Sequence, residues 1–177
     1  MAAWVGPAIV AAFISALVTA IGWYVGHRQD VRREAAKRIE RIRDVQTAIL
    51  AEIRANRHRL HAVDLEAHAA LVAAKMNADP AFTPFVPREV PAFLIDALMG
   101  EIHILPTGII DPVILYYRQA LTLSQLADDL RSERFEKLET NRKVELYNDY
   151  IGLMVYARTL ADRAIDALDS SLAVNGS

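Results

Sequence analysis

The chain is predicted to be all-α: an N-terminal transmembrane helix runs into a long cytoplasmic helix, which packs with two or three further helices as a bundle. Three observations predict this. From Trp4 to Gly26 the sequence carries no charged residue, and at 1.5 Å rise per residue it makes a helix of roughly 35 Å, against a hydrocarbon core of roughly 30 Å. Beyond it, apolar residues recur at alternating steps of four and three, the helical period. Gly and Pro number only seven each in 177 residues, while Ala, Leu and Ile abound. Four segments follow: an anchor at 1–26, a basic neck with a long amphipathic helix at 27–76, a proline-rich loop at 77–91, and a bundle at 92–177 that completes one domain with 27–76.

The anchor has interfacial chemistry at both ends, with Trp4 at one and Trp23 and Tyr24 at the other, where a ring with a polar edge sits best at headgroup level. Val18 and Ala20 occupy the small-residue positions of a signal-peptide cut, but no Lys or Arg precedes the apolar run and the run continues past them. Ala8, Ala12, Ser15, Thr19, Gly22 and Gly26 line up as a seam of small residues, a surface on which another membrane helix can approach closely. A homo-oligomer is the simplest arrangement, and other membrane-protein subunits the next.

The neck sets orientation. From His27 to Leu60 there are ten Lys or Arg against five Asp or Glu, and from His61 onward ten against seventeen. Arg28, Arg32, Arg33, Lys37, Arg38, Arg41 and Arg43 all follow the span and no basic residue precedes it, so the N-terminus is expected outside and the C-terminal domain in the cytoplasm. Such a neck attracts anionic headgroups by roughly 1 kcal/mol per residue near the surface. Its plainer reading is a topology signal on a solvated helix face, with Asp30, Glu34, Glu40 and Asp44 interleaved. The lipid bilayer is the first expected partner.

No Gly or Pro interrupts Val31 to Met76, and Ile39, Ile42, Gln46, Ile49, Ile53, Asn56, Leu60, Val63, Ala67, Ala70 and Ala74 form a heptad stripe through it. Two packings satisfy that stripe: an intermolecular coiled coil, with Ile39, Ile42, Gln46, Ile49, Ile53 and Asn56 as the contact residues, or a helix folded onto its own domain. Asn77 to Pro91 holds Pro80, Pro84, Pro87 and Pro91 and turns the chain. Phe82, Phe85 and Val86 suggest that this loop packs down.

A short helix is expected from Ala92 to Glu101. Pro106 closes the next connection, and a helix begins near Thr107, or at Asp111 with Pro112 in its first turn, and runs to about Arg131. Ile109, Val113, Tyr116, Ala120, Leu123, Ala127 and Leu130 give it one stripe, widened by Ile110, Ile114, Tyr117 and Leu121, which makes it the bundle's centre. Pro106, Asp111, Pro112 and Arg118 exclude it as a second span. The last helix, Phe135 to Leu172, directs Leu138, Leu146, Tyr150, Leu153, Ala157, Leu160, Ala164 and Leu168 inward, carries the acidic edge Asp162, Asp166 and Asp169, and ends in a frayed tail.

Chemistry-bearing residues are sparse. With no cysteine there is no disulfide, thiolate metal site or cysteine nucleophile. Phosphate-loop, GxSxG and HExxH patterns are absent, so no catalytic residue and no cofactor is assigned and the chain is read as a non-enzyme. The acidic body argues against nucleic acid. No metal site is assigned, though His58, His61, Asp64 and His68 fall on about a third of one helix circumference and suit a divalent ion if another element completes the set. Arg54 and Arg57 on that side would repel a cation. They offer instead a docking face for Asp162, Asp166 and Asp169, within the bundle or between protomers.

The order of span, basic neck and long Ala-rich helix is similar to that of the peripheral-stalk b subunit of rotary ATP synthases, from which the chain departs by folding back at its prolines. Phe93 to Leu130, with its Leu105–Pro106 break before Tyr116 and Tyr117, resembles uncharacterised bacterial single-pass inner-membrane proteins. That resemblance implies a bacterial cytoplasmic membrane location and no activity. The expected function is a membrane-anchored structural or interaction subunit; the alternative is a membrane-tethered sensor or enzyme accessory binding a metal or small ligand on the His58–His68 face.

Overall fold

A computed structural model describes the backbone of residues 5–61, 64–87 and 100–174, with side chains from residue 23 onward in those ranges except 25, 26 and 29–31. Its described elements are helices: α1 Val5–His61, α2 Leu65–Ala78, a 3-10 turn Ile102–Ile104, α3 Thr107–Leu130, the single-turn α4 Glu133–Glu136, and α5 Thr140–Val174. The chain divides into two compact units, Met1–Ile42 and Arg43–Ser177.

In the first unit the backbone is helical from Val5. Among the described residues no helix is long and apolar enough to cross a membrane. The span expected over Trp4 to Gly26 lies outside those residues in its side chains, Trp23 and Tyr24 excepted, and so does the seam of Ala8, Ala12, Ser15, Thr19, Gly22 and Gly26. The neck side chains from Arg32 to Arg41 are exposed.

The second unit is built on the antiparallel pair α3 and α5. Their facing stripes form two apolar clusters. One joins Ile109, Val113, Tyr116 and Tyr117 of α3 to Leu160, Ala161, Ala164 and Leu168 of α5, and it is closed by Val45, Ile49, Leu50 and Ile53 of α1 with Leu105. The other joins Leu123, Ala127 and Leu130 to Tyr147, Tyr150, Ile151 and Ala157, and is closed by Leu65, Val72 and Met76 of α2 with Val86 and Phe135. Six of the seven stripe positions expected on α3 are buried, and Ala120 is half-buried. Each large aliphatic side chain taken fully from water contributes about 1.5–3 kcal/mol, so these clusters supply most of the unit's cohesion.

Several sequence expectations are corrected. The helix expected to continue through Val31 to Met76 ends at His61, and a new one starts at Leu65. No Gly or Pro is needed for the break, because the Asp64 carboxylate accepts from Ala67 N at 3.1 Å and caps α2. The stripe therefore changes face: Ala67, Ala70 and Ala74 are exposed, and Leu65, Val72 and Met76 point inward. Of the residues proposed for an intermolecular coiled coil, Gln46, Ile49 and Ile53 are buried in the chain's own core. Asn56 and Ile42 are half-buried and Ile39 is 58% exposed.

In the proline-rich loop Asp79 Oδ1 accepts from Ala81 N at 2.9 Å, and Phe82 lies under Lys75 with Nζ 5.9 Å from the ring centroid. Pro84 and Val86 are buried but Phe85 is 87% exposed, contrary to expectation. In extended backbone successive side chains alternate, so two inward neighbours turn the residue between them outward.

The short helix expected at Ala92–Glu101 lies, except for Glu101, outside the described residues. α3 starts at Thr107 and contains Pro112, which removes the N–H that would bond Gly108 O. The expected single helix Phe135–Leu172 is divided. Ser132 caps α4 by accepting from Phe135 N at 3.3 Å, and α5 starts afresh after Glu139, whose carbonyl accepts from Lys143 N at 3.0 Å. Leu138, Leu146 and Leu153 are only half-buried, while Lys143, Tyr147, Ile151 and Ala161 are buried. Lys143 Nζ donates to Pro80 O at 3.1 Å, tying the proline-rich loop to α5.

Replacing Ile53, which is fully buried, by Ala is expected to lower stability by about 2–5 kcal/mol, whereas Ile39→Ala changes it by less than about 0.5 kcal/mol. Thermal melts of helical circular dichroism on the two variants in mild detergent check both; equal losses would place the stripe's packing elsewhere.

Candidate functional site

The densest group of polar side chains runs along the junction of α1 with α5 and α3. Moving up α1, Gln46 Nε2 donates to Ser171 Oγ at 3.2 Å. Arg54 grips both carboxylate oxygens of Asp169 at 2.9 and 2.7 Å. Arg57 pairs with Asp162, and Leu60 O accepts from Arg158 Nη2 at 2.6 Å. As the numbers climb on α1 they fall on α5, so this seam fixes an antiparallel register. On the α3 side, Tyr117 Oη donates to Glu52 Oε2 at 2.8 Å.

Each member has a definable task. The last four carbonyls of a helix lack internal donors, and Leu60 O is one of them, so Arg158 caps the end of α1 from another helix. Arg158 Nε is buried without a partner. The basic last turn of α1, His58, Arg59 and His61, suits the negative end of the helix dipole. The side chains in the two ion pairs are 42–54% exposed, so solvent screens them and each contributes at most about 1 kcal/mol. Their value is directional: they reward one register.

Tyr117 is buried against Tyr116, their rings edge-on with centroids 5.2 Å apart. Burial first, then the hydrogen bond to Glu52 and its negative charge, push the phenol far above its ordinary range. It therefore remains a neutral donor at physiological pH and cannot serve as a base or nucleophile. Tyr147 is also raised, by burial.

The arginine docking face expected for the acidic edge forms within the chain: Arg54 meets Asp169 and Arg57 meets Asp162, while Asp166 stays exposed. The histidine face does not assemble. His58 and His61 are exposed at the end of α1, Asp64 is occupied as the α2 cap, and His68, on the next helix, leans on Tyr147 with ring centroids 6.5 Å apart. Among the described residues no group of three or more His, Asp or Glu is placed to hold a metal ion. Sequence reasoning missed the Arg158 cap and the Tyr117–Glu52 bond. A basic residue and an aromatic at helical positions carry no local mark of a partner 98 or 65 residues away.

No family model, curated protein or solved structure matches the chain.

Arg158→Met keeps the buried stem and removes the cap. It is expected to lower stability by on the order of 1–2 kcal/mol and to speed amide exchange around Leu60 to Leu65 more than elsewhere, as read by hydrogen-exchange mass spectrometry. Tyr117 gives a pH dependence. Because its folded pKa is raised, its stabilising contribution is complete below about 10, the value in the unfolded chain. It is lost as pH climbs further, since the unfolded chain ionises first. Tyr117→Phe should cost on the order of 1 kcal/mol at pH 7 and delay the alkaline unfolding transition, with Tyr147 retaining part of it.

Proposed function

We propose that the chain is a single-pass membrane protein whose helical bundle lies on the cytoplasmic side and acts as an assembly or accessory subunit of a membrane complex. The observation that carries this reading is the uncharged run from Trp4 to Gly26 followed at once by cations on one side only. Placement in a bacterial cytoplasmic membrane belongs to the same reading and rests on the likeness of Phe93–Leu130 to single-pass inner-membrane proteins. The order of span, neck and long helix, shared with b-type stalk subunits, fits an assembly role too.

The body supports the reading through what its polar groups do. Arg54, Arg57, Arg158, Glu52, Asp162 and Asp169 are engaged in holding helices in register. Association with other chains then falls to the small-residue seam of the span and to exposed apolar side chains of the body, among them Leu71, Leu115, Leu121 and Tyr156.

The test uses the full chain in its membrane. Alkaline carbonate should leave it in the membrane fraction; release would overturn the anchor. The chain has no cysteine, so Ala2→Cys and Ser177→Cys can be labelled separately, and an impermeant maleimide should reach only the first from outside. The detergent-solubilised particle should exceed one copy of 19.7 kDa after the detergent is subtracted, or carry another protein with it. A strict monomer without a partner would overturn the assembly role and leave the anchor standing.

A further inference from the structure

Where the apolar run meets the neck, the described side chains are arranged in a definite order. Trp23 and Tyr24 are 73% and 58% exposed. Trp23 stacks on His27 one turn later, with ring centroids 5.6 Å apart and planes within 7°. The Arg28 guanidinium lies over the Tyr24 ring, 5.8 Å from its centroid. Side chains on a helix lean toward its N-terminus, so both contacts draw a cationic or ionisable group back toward the apolar run. Arg32, Lys37 and Arg38 are exposed, and among the described residues none of the three has a carboxylate partner. The body differs, since Arg54 and Arg57 there are paired.

Distances along the helix decide which cations can meet a headgroup layer. That layer occupies roughly 5–7 Å beyond the hydrocarbon on each side. At 1.5 Å per residue, Arg28 and Arg32 lie within about 10 Å of the end of the run at Gly26, inside that layer once side-chain length is added. Lys37 and Arg38 lie about 17 Å out and remain within roughly one Debye length of the surface. Between Arg28 and Arg38 there are five cations, Arg33 included, against two carboxylates, Asp30 and Glu34. Bare cations at headgroup depth, with aromatic rings to set their height, complement anionic phosphate.

We propose that Arg28, Arg32, Lys37 and Arg38 form a collar that binds anionic phospholipid headgroups. The collar rests on the membrane-anchor reading. Its chemistry is phosphate recognition: Arg28 and Arg32 donate from planar guanidinium groups that match phosphate oxygens, and Lys37 and Arg38 add a longer-range attraction. The enriched lipid shell would hold the start of the neck at a set height.

The test uses the full chain carrying Trp4→Phe, which leaves Trp23 as the sole tryptophan. It is reconstituted in phosphatidylcholine vesicles containing phosphatidylglycerol, with one lipid or the other brominated near the headgroup end of its acyl chains. At equal mole fraction, brominated phosphatidylglycerol should quench Trp23 as though enriched around the helix about three- to tenfold. The excess should disappear in the Arg28→Gln, Arg32→Gln, Lys37→Gln, Arg38→Gln variant. Because loss of those cations can disturb insertion, a second measurement uses the unaltered neck: the excess should fall steeply as salt rises to about 0.5 M. Equal quenching by both brominated lipids overturns the collar and leaves the anchor intact. Quenching by neither overturns the anchor and the collar with it. An excess that survives both the neck substitutions and salt overturns the assignment to these four residues.

Discussion

The body depends on the register between the end of α1 and α5. Ile49 and Ile53 settle against Leu160, Ala164 and Leu168, and apolar burial there supplies the energy. It does not by itself choose a register, because sliding one amphipathic helix along another by a turn returns similar side chains to similar places. The polar seam removes that freedom. Gln46, Arg54, Arg57 and Leu60 each meet one partner on α5, and a shift of one turn, about 5.4 Å, would part all four at once. Once α1 is held there, its end at His61 is capped, α2 starts from Asp64, and the second apolar cluster has its lid.

Specificity of this kind leaves visible costs. Gln46 is fully buried, and its Oε1 has no hydrogen-bond partner, a deficit on the order of 1–3 kcal/mol. A Leu there would pack without it. The amide meets Ser171 at one register only, the role a lone buried amide takes in a coiled-coil seam. Lys143 does the same for the proline-rich loop. Its stem is buried and its ammonium has one target, Pro80 O, so the loop has one seating. Arg158 joins both roles, closing a helix end while its Nε goes unmatched.

The helical class, the buried stripe of α3 and the inward seating of Phe82 and Val86 were legible because they rest on local periodicity and on prolines. The breaks at 62–63 and 137–139 were not, because each helix starts on a short polar cap, Asp64 or a fresh turn at Glu139, in sequence free of Gly and Pro. The histidine face shows how such an error spreads. Its four residues share a face only if 100° per residue is carried from His58 to His68 without interruption, and the break at 62–63 voids the sum. The pairing of Arg54 and Arg57 with the acidic edge was legible for the opposite reason: opposite charges on helices that must pack antiparallel have few other places to go. The Tyr117–Glu52 bond and the Arg158 cap depend on relative rotation of helices, which one-dimensional periodicity leaves open.

Charge usage then separates the two parts of the chain. In the body, arginines that face another helix find carboxylates or a carbonyl, and what they gain is geometry, since half-exposed pairs are worth little energy. In the neck, Arg32, Lys37 and Arg38 are left without carboxylates although Glu34 and Glu40 stand one turn or less away on the same helix. A solvated helix optimised only for its own stability would place acids and bases at i, i+4 to gain a few tenths of a kcal/mol each. The surplus of cations instead keeps about 1 kcal/mol per residue available to an anionic surface. That difference in magnitude favours a neck whose charges act outward, on whatever lies beside the apolar run, over one whose charges serve the helix itself.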